Sequence, residues 1–105
     1  MAERISARDV SRRMHESPPP VLIDVRLGRV EPIPGAVHVP VTDLEDQEWD
    51  WPQDRDLVVY CQYGGGGSDY AAEVLEEQGY RRVFILDGGM DAWREVVSDR
   101  EGSER

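Results

Sequence analysis

Four short apolar runs alternate with helix-like segments along this chain, and that alternation restricts the possible folds more than any other feature. The runs are VLIDVR, AVHVP, LVVYC and RVFILD, at residues 21–26, 36–40, 57–61 and 82–87. Uniformly apolar runs of this length are typical of strands that are buried on both faces of a parallel sheet. Because parallel strands need crossover connections, the sequence predicts a three-layer α/β domain. Its mostly parallel central sheet would have four to five strands, with helices on both faces.

Helical patterns occupy the segments between these runs. Ser6 is a predicted N-cap for a short first helix, which the SPPP segment at 17–20 stops. The strongest pattern is SDYAAEVLEEQGY at 68–80, where the apolar residues share one face and the charged residues occupy the other. Gly79 is the expected C-terminal stop of that helix.

Two weaker patterns complete the assignment. TDLEDQ at 42–47 predicts one or two helical turns, capped by Thr42 or Asp43. GGMDAWREVV at 88–97 begins with glycines and continues as an amphipathic helix. The polar tail at 98–105 is expected to be frayed.

The length of 105 residues predicts a single domain, 1–105, with its core at about 5–97. No apolar stretch approaches the roughly 18 residues of a membrane span. The N-terminal MAERISARDV lacks the apolar region of a signal peptide. We therefore expect a soluble, monomeric protein with no membrane partner.

The charge balance is strongly acidic. All twelve basic residues are arginines, and with 22 acidic residues the formal net charge is −10. This charge argues against nucleic acid and anionic membranes as partners, and it favours solubility. A doubly charged anionic substrate would also be repelled at long range, so local groups would have to attract it.

Cys61 is the only cysteine in the sequence. A single thiol excludes an internal disulfide and a multi-cysteine zinc site, and the reducing cytoplasm is the expected location for a thiol that must stay free. Cys61 ends the third apolar run, directly before a helical pattern. Ligands of open α/β sheets bind at the carboxyl ends of the strands, so this position is the first indication of function.

Four consecutive glycines follow Cys61, at 64–67. Glycine permits backbone conformations in which successive N–H groups point at one spot, and a helix N-terminus adds partial positive charge. Such a loop can hold an anion. It can also lower the pKa of an adjacent cysteine below the free-thiol value of about 8.5, so we predict a reactive Cys61 thiolate.

Two readings compete with this prediction. Cys61 could be a buried, inert residue followed by a flexible glycine turn. A Cys–His pair for acyl transfer is weakly supported, because His15 lies on the first helix and His38 in the second strand, where a structural role is expected.

Several segments together resemble the rhodanese-like domain. They are LIDVR at 22–26, IPGAVHVP at 33–40, LVVYC at 57–61 with its glycine loop, AAEVLEEQGY at 71–80 and VFILDGGMDAW at 83–93. Their order and spacing follow that family from about Ile5 to Trp93.

The resemblance implies a sulfurtransferase that uses no metal or cofactor. Its cysteine, matched by Cys61, attacks the outer sulfur of thiosulfate or a persulfide and becomes a persulfide itself, which cyanide or another thiol then discharges. The expected partners are a small anionic sulfur donor and a thiol-bearing acceptor protein. Asp24 and Arg26 match residues that brace the loops. The implied substrate-binding residues are Gln62, Tyr63, Gly64, Gly65, Gly66, Gly67 and Ser68.

The sequence departs from the family pattern at the active loop. Many members carry an arginine five residues after the cysteine, and related phosphatases and arsenate reductases carry one six residues after it; here these positions are Gly66 and Gly67. The loop is also one residue longer than in most sulfurtransferases. Arg29 could replace the missing cation, although a solvated role is the simpler reading. A low-activity binding or regulatory module therefore stays open, and phosphatase or arsenate reductase activity is disfavoured.

Overall fold

The computed structural model describes the backbone of residues 2–47, 49–63 and 66–103, and the side chains of this part as far as Ser98. Five strands form one sheet in the order β1-β5-β4-β2-β3, and every pair of neighbours is parallel. The strands are β1 Glu3–Ile5, β2 Val21–Asp24, β3 Val37–His38, β4 Asp56–Tyr60 and β5 Arg82–Leu86.

Four helices connect the strands and cover the sheet. They are α1 Ala7–Arg13, α2 Val41–Leu44, α3 Gly66–Glu77 and α4 Gly89–Ser103. The Ser6 side chain caps α1 by accepting a hydrogen bond from the Asp9 amide at 3.1 Å. Gly79, just after α3, has a φ of +101°, which is a left-handed conformation that glycine adopts without steric cost.

The alternation of side chains along each strand divides the core into two layers. Leu57 and Val59 of β4 pack with α2 and α3 on one face of the sheet. Val58 and Tyr60 of the same strand pack with α1 and α4 on the other. The predicted α/β architecture with helices on both faces is confirmed.

The structure differs from the sequence-based expectation at three elements. It adds β1, whose three residues pair with β5. Helix α2 begins after Pro40 without a side-chain cap, so capping by Thr42 or Asp43 was wrong; a chain entering from proline already has the required extended geometry. Helix α4 continues to Ser103 through much of the segment expected to be frayed, because no proline or glycine interrupts it before Gly102.

The described residues include no helix that is both long enough and apolar enough to span a membrane.

Candidate active site

Cys61 directly follows β4 at the carboxyl edge of the sheet. Its side chain is partly exposed and lies against the core layer that α3 covers. The preceding residue, Tyr60, is fully buried, so the chain leaves the buried sheet at Cys61. The thiol is therefore supported by the core and still accessible from outside, as a nucleophile requires.

The first turn of α3 lies against the thiol. Ser68, the third residue of this helix, is fully buried, and its Oγ is 3.6 Å from Cys61 Sγ. This distance is within the range of a hydrogen bond to sulfur. The protonated Cys61 thiol donates to the Ser68 hydroxyl, and the same hydroxyl can donate to the Cys61 thiolate. The N-terminal partial charge of α3 favours the thiolate.

The N-terminus of α4 holds the backbone of the active loop. The amide of Met90 donates to the Cys61 carbonyl at 2.9 Å, and the amide of Asp91 donates to the Gln62 carbonyl at 3.2 Å. Gly89, with φ of +59°, allows this approach, because a Cβ there would lie 2.4 Å from the Cys61 carbonyl oxygen. Two carbonyls of the loop are therefore fixed by one helix end.

Arg26 and Asp24 form an ion pair behind the loop. Asp24 is fully buried, and its Oδ2 accepts from an Arg26 terminal nitrogen at 2.7 Å, while Arg26 Nε donates to Oδ1 at 3.0 Å. These hydrogen bonds to Asp24 raise the pKa of Arg26, burial partly opposes them, and nearby negative charge, including that of Cys61, adds to the increase.

Gln62 connects the ion pair to α4. Its Oε1 accepts from Arg26 at 2.8 Å, and its Nε2 donates to Asp91 Oδ1 at 2.7 Å. The side-chain amide thus lies between a cation and an anion, which fixes its orientation. The end of β2, the start of the active loop and the start of α4 are joined by side chains as well as by backbone.

Tyr60 and His38 brace the neighbouring loop. The Tyr60 hydroxyl accepts from the Ile33 amide at 2.9 Å, and His38 Nε2 lies 2.7 Å from the Arg26 carbonyl. Burial raises the pKa of Tyr60 well above its usual value, and the charge of Asp24 adds to the increase. The structural reading of His38 fits these contacts.

The structure places most residues of the predicted site around Cys61. Gln62, Ser68, Asp24 and Arg26 make the contacts described above, and Tyr63 is 76% exposed beside them. Gly66 and Gly67 are the first two residues of α3, and a Cβ at either would meet no atom within 4 Å. Gly64 and Gly65 lie outside the described residues.

Two other candidates lie apart from these contacts. Arg29 is exposed on the 27–32 loop, and it makes no hydrogen bond or ion pair within the described part of the chain. His15 lies after the end of α1, exposed. Among the described residues, no group of three or more histidine, cysteine or acidic side chains could hold a metal ion.

Sequence reasoning missed Gly89 and Asp91 as parts of this site. Both belong to the GGMDAW segment, which was interpreted as the start of a helix and as part of the family resemblance. The double glycine before that helix was the available signal, because adjacent glycines often mark a close approach between backbones. Nothing in the sequence indicated which backbone approaches.

Fold and site together define an α/β domain with a free, partly exposed cysteine at the carboxyl end of a central strand, next to the first turn of a helix. The family model for the rhodanese-like domain matches residues 6–96, and the chain belongs to that family.

Individual relatives agree with this assignment. The chain is 33% identical to a protein of Allochromatium vinosum named sulfurtransferase, over 89% of each chain. It is 37% identical to the thiosulfate sulfurtransferase GlpE of Pseudomonas savastanoi pv. phaseolicola, over 75% of this chain and 76% of the relative. The crystal structure of the Alr3790 protein from Anabaena sp. superposes with a TM-score of 0.77 at 28% identity, over 88% of this chain and 86% of the other.

Proposed function

We propose that this protein is a sulfurtransferase that carries sulfane sulfur as a persulfide on Cys61. It takes the sulfur from thiosulfate or a persulfide donor and passes it to a thiol or to cyanide. Relatives named sulfurtransferase support the reaction class. The observation that carries the proposal is the partly exposed Cys61 thiol held 3.6 Å from Ser68 in the first turn of α3.

The reaction needs a Cys61 thiolate as the nucleophile, and it needs stabilisation of the persulfide anion that forms on Cys61. The Cys61 thiolate attacks the outer sulfur of the donor, the donor's sulfur–sulfur bond breaks, and its electron pair leaves with sulfite or a thiolate. An acceptor thiolate or cyanide then attacks the outer sulfur of the Cys61 persulfide and releases the Cys61 thiolate. The rate of each step depends on the fraction of attacking thiolate and on the leaving group.

The hydrogen bonds from α4 explain how the loop could stabilise the persulfide. In a trans peptide the C=O and N–H groups point in opposite directions. The carbonyls of Cys61 and Gln62 point at the N-terminus of α4, so the N–H groups of Gln62 and Tyr63 point away from it. These two amides are then available to an anion over Cys61, and the Gln62 bridge keeps them in place.

Location and partners belong to the same proposal. A catalytic thiol that must stay free suits the reducing cytoplasm. The protein would act there as a monomer on a small anionic donor, with a thiol-bearing protein as acceptor. The absence of a basic side chain in the loop favours a second candidate, a binding or regulatory module with little turnover.

Mass spectrometry tests the proposal. After incubation with thiosulfate or cysteine hydropersulfide, the wild-type chain should gain one sulfur atom, which cyanide should remove as thiocyanate. The Cys61→Ser variant should gain none. Thiocyanate release over many cycles supports the enzyme, whereas a sulfur adduct without turnover supports the binding module. Absence of an adduct with every donor would falsify the proposed function.

A further inference from the structure

The charges around Cys61 restrict which donor it can use. No basic residue occurs between Cys61 and Arg81 in the sequence, so the active loop and the whole of α3 lack a cation. The cation that the structure shows in contact with the loop is Arg26, through Gln62. Whether this guanidinium can attract a donor depends on its other contacts.

Arg26 is already occupied. Its Nε and one terminal nitrogen bind both oxygens of the fully buried Asp24, and that nitrogen also donates to the Glu31 carbonyl at 3.0 Å. Its other terminal nitrogen donates to Gln62. The side chain is only 10% exposed. The positive charge of Arg26 is therefore compensated by Asp24 before any donor arrives.

Among the described residues, the other charged side chains at the loop are negative or paired, and the exposed Arg29 makes no hydrogen bond or ion pair with the active loop. Asp91 contacts Gln62 on the loop without a described cation of its own, and Asp69 in the first turn of α3 is shared with Arg4 at 3.4 Å. The described contacts of the loop therefore include no cation set aside for a donor, and main-chain amides and hydroxyls are the groups expected to hold it. Amides and a helix N-terminus can hold an anion, but they supply only partial charges, so they offset two or three negative charges less well than a guanidinium does.

The two donor classes differ in the charge they bring. Thiosulfate is a dianion, so the thiolate and thiosulfate together carry three negative charges, and the electron pair of the broken sulfur–sulfur bond leaves on sulfite, again a dianion. A hydropersulfide reacts as an electrophile in its protonated form, R–S–S–H, which is neutral at its outer sulfur. When Cys61 attacks it, a new sulfur–sulfur bond forms, the old one breaks, the proton stays with the transferred sulfur, and one negative charge leaves on R–S⁻.

We propose that the donor of this enzyme is a low-molecular-weight hydropersulfide and that its active site discriminates against thiosulfate. This inference rests on the proposed sulfurtransferase function and narrows it to one donor class. The discrimination comes from the glycines at 66 and 67, where a bare helix N-terminus stands in place of a cationic side chain.

Restoring a cation tests the inference, because Gly66 and Gly67 tolerate side chains. A Cβ at either position meets open space, and neither residue has a positive φ. We would make Gly66→Arg and Gly67→Arg, with Gly66→Gln and Gly67→Gln as neutral controls of similar length. Thermal unfolding would first show that each variant folds.

The readout is the rate of Cys61 sulfuration by thiosulfate and by cysteine hydropersulfide, followed by mass spectrometry. At one or both positions, the arginine variant should react with thiosulfate about tenfold or more faster than the glutamine variant at the same position. With the hydropersulfide, the arginine and glutamine variants at one position should differ by less than about threefold. Comparing variants with the same donor cancels the difference in intrinsic reactivity between the two donors.

The dependence of the Cys61 sulfuration rate on ionic strength is an independent test of charge repulsion between the site and the donor. Between about 0.01 and 0.15 M salt, screening should accelerate the reaction of the wild type with thiosulfate and leave the hydropersulfide reaction nearly unchanged. In the arginine variants the thiosulfate acceleration should shrink or reverse. If both arginine variants fold and neither reacts faster with thiosulfate than its glutamine counterpart, or if salt does not accelerate the wild-type reaction with thiosulfate, this inference is wrong. If no donor sulfurates Cys61, the proposed function itself fails.

Discussion

Among the described residues, Ser68 places a hydroxyl in contact with the Cys61 thiol. Its hydroxyl is fully buried, so water competes little for the hydrogen bond to the sulfur 3.6 Å away. A hydroxyl that donates to a thiolate stabilises the charged form and makes the thiol more acidic. The N-terminal partial charge of α3 acts in the same direction.

We therefore predict that the rate of Cys61 alkylation by iodoacetamide rises with pH with a midpoint below the free-thiol value of about 8.5. Ser68→Ala, which removes the hydroxyl and little volume, should raise this midpoint by about one pKa unit. Stopped-flow alkylation across pH 5 to 10 (about one point per half unit) would measure both values.

Tyr63→Phe serves as the control, because it removes a hydroxyl from an exposed side chain of the same loop. Its alkylation midpoint should match that of the wild type. A wild-type midpoint at or above the free-thiol value would contradict the activation of Cys61. An unchanged midpoint in Ser68→Ala would show that the Ser68 hydroxyl does not make the Cys61 thiol more acidic.

At the scale of elements, the active loop depends on how α4 begins. The left-handed Gly89 lets the Met90 and Asp91 amides reach the loop carbonyls, and a Cβ at this position collides with the Cys61 carbonyl. Backbone atoms cannot move aside as a flexible side chain can. Any larger residue must therefore displace either the helix or the loop.

Gly89→Ala should lower the free energy of unfolding by about 3 kcal/mol or more, from left-handed strain together with the collision. Sulfur transfer should fall by about a hundredfold, since displacement of the reacting group by about 1 Å has effects of that size. Urea unfolding and thiocyanate release would measure the two effects.

Gly28→Ala is the matched control for this prediction. Gly28 also has a positive φ, of +80°, but its Cβ would meet no atom within 4 Å. It should lose only the conformational contribution of about 1–2 kcal/mol and keep its activity. Equal losses of stability and activity in Gly89→Ala and Gly28→Ala would show that the contact between α4 and the loop does not restrict position 89.

The same contacts show how far the sequence could predict this molecule. Predominantly apolar runs identified β2, β4 and β5, because a strand buried on both faces has few polar positions. The sequence did not reveal β1, whose residues Glu3 and Arg4 are exposed and polar and which is defined only by pairing with β5.

The site divides in the same way. Cys61 and its loop could be predicted from local order along the chain, since strand, thiol, glycines and helix follow one another. The contacts of Gln62 with Arg26 and Asp91 join residues 36 and 29 positions apart. Such contacts depend on where helices cross the sheet, which no local pattern encodes.

At the scale of the whole molecule, two buried tyrosines couple stability to alkaline pH. Burial raises the pKa values of both Tyr60 and Tyr80, so each favours its neutral form in the folded state. Below the unfolded-state tyrosine pKa of about 10, these tyrosines are protonated in both the folded and the unfolded chain, so the folded state keeps its full stability. Above it the unfolded chain loses protons that the folded chain retains, so stability falls as pH rises.

Tyr60→Phe should separate the contribution of one tyrosine. At about pH 8 the variant should be less stable than the wild type by about 1–3 kcal/mol, because the Ile33 amide loses its buried acceptor. By about pH 11 that difference should narrow by about 1.4 kcal/mol, since only the wild type retains the titrating group. Urea unfolding at both pH values would measure the change, and the repulsion due to the net charge of −10 largely cancels in the comparison. Tyr63→Phe, at an exposed site, should show no such narrowing; a constant difference for Tyr60→Phe would mean that Tyr60 ionises as readily in the folded chain as in the unfolded one.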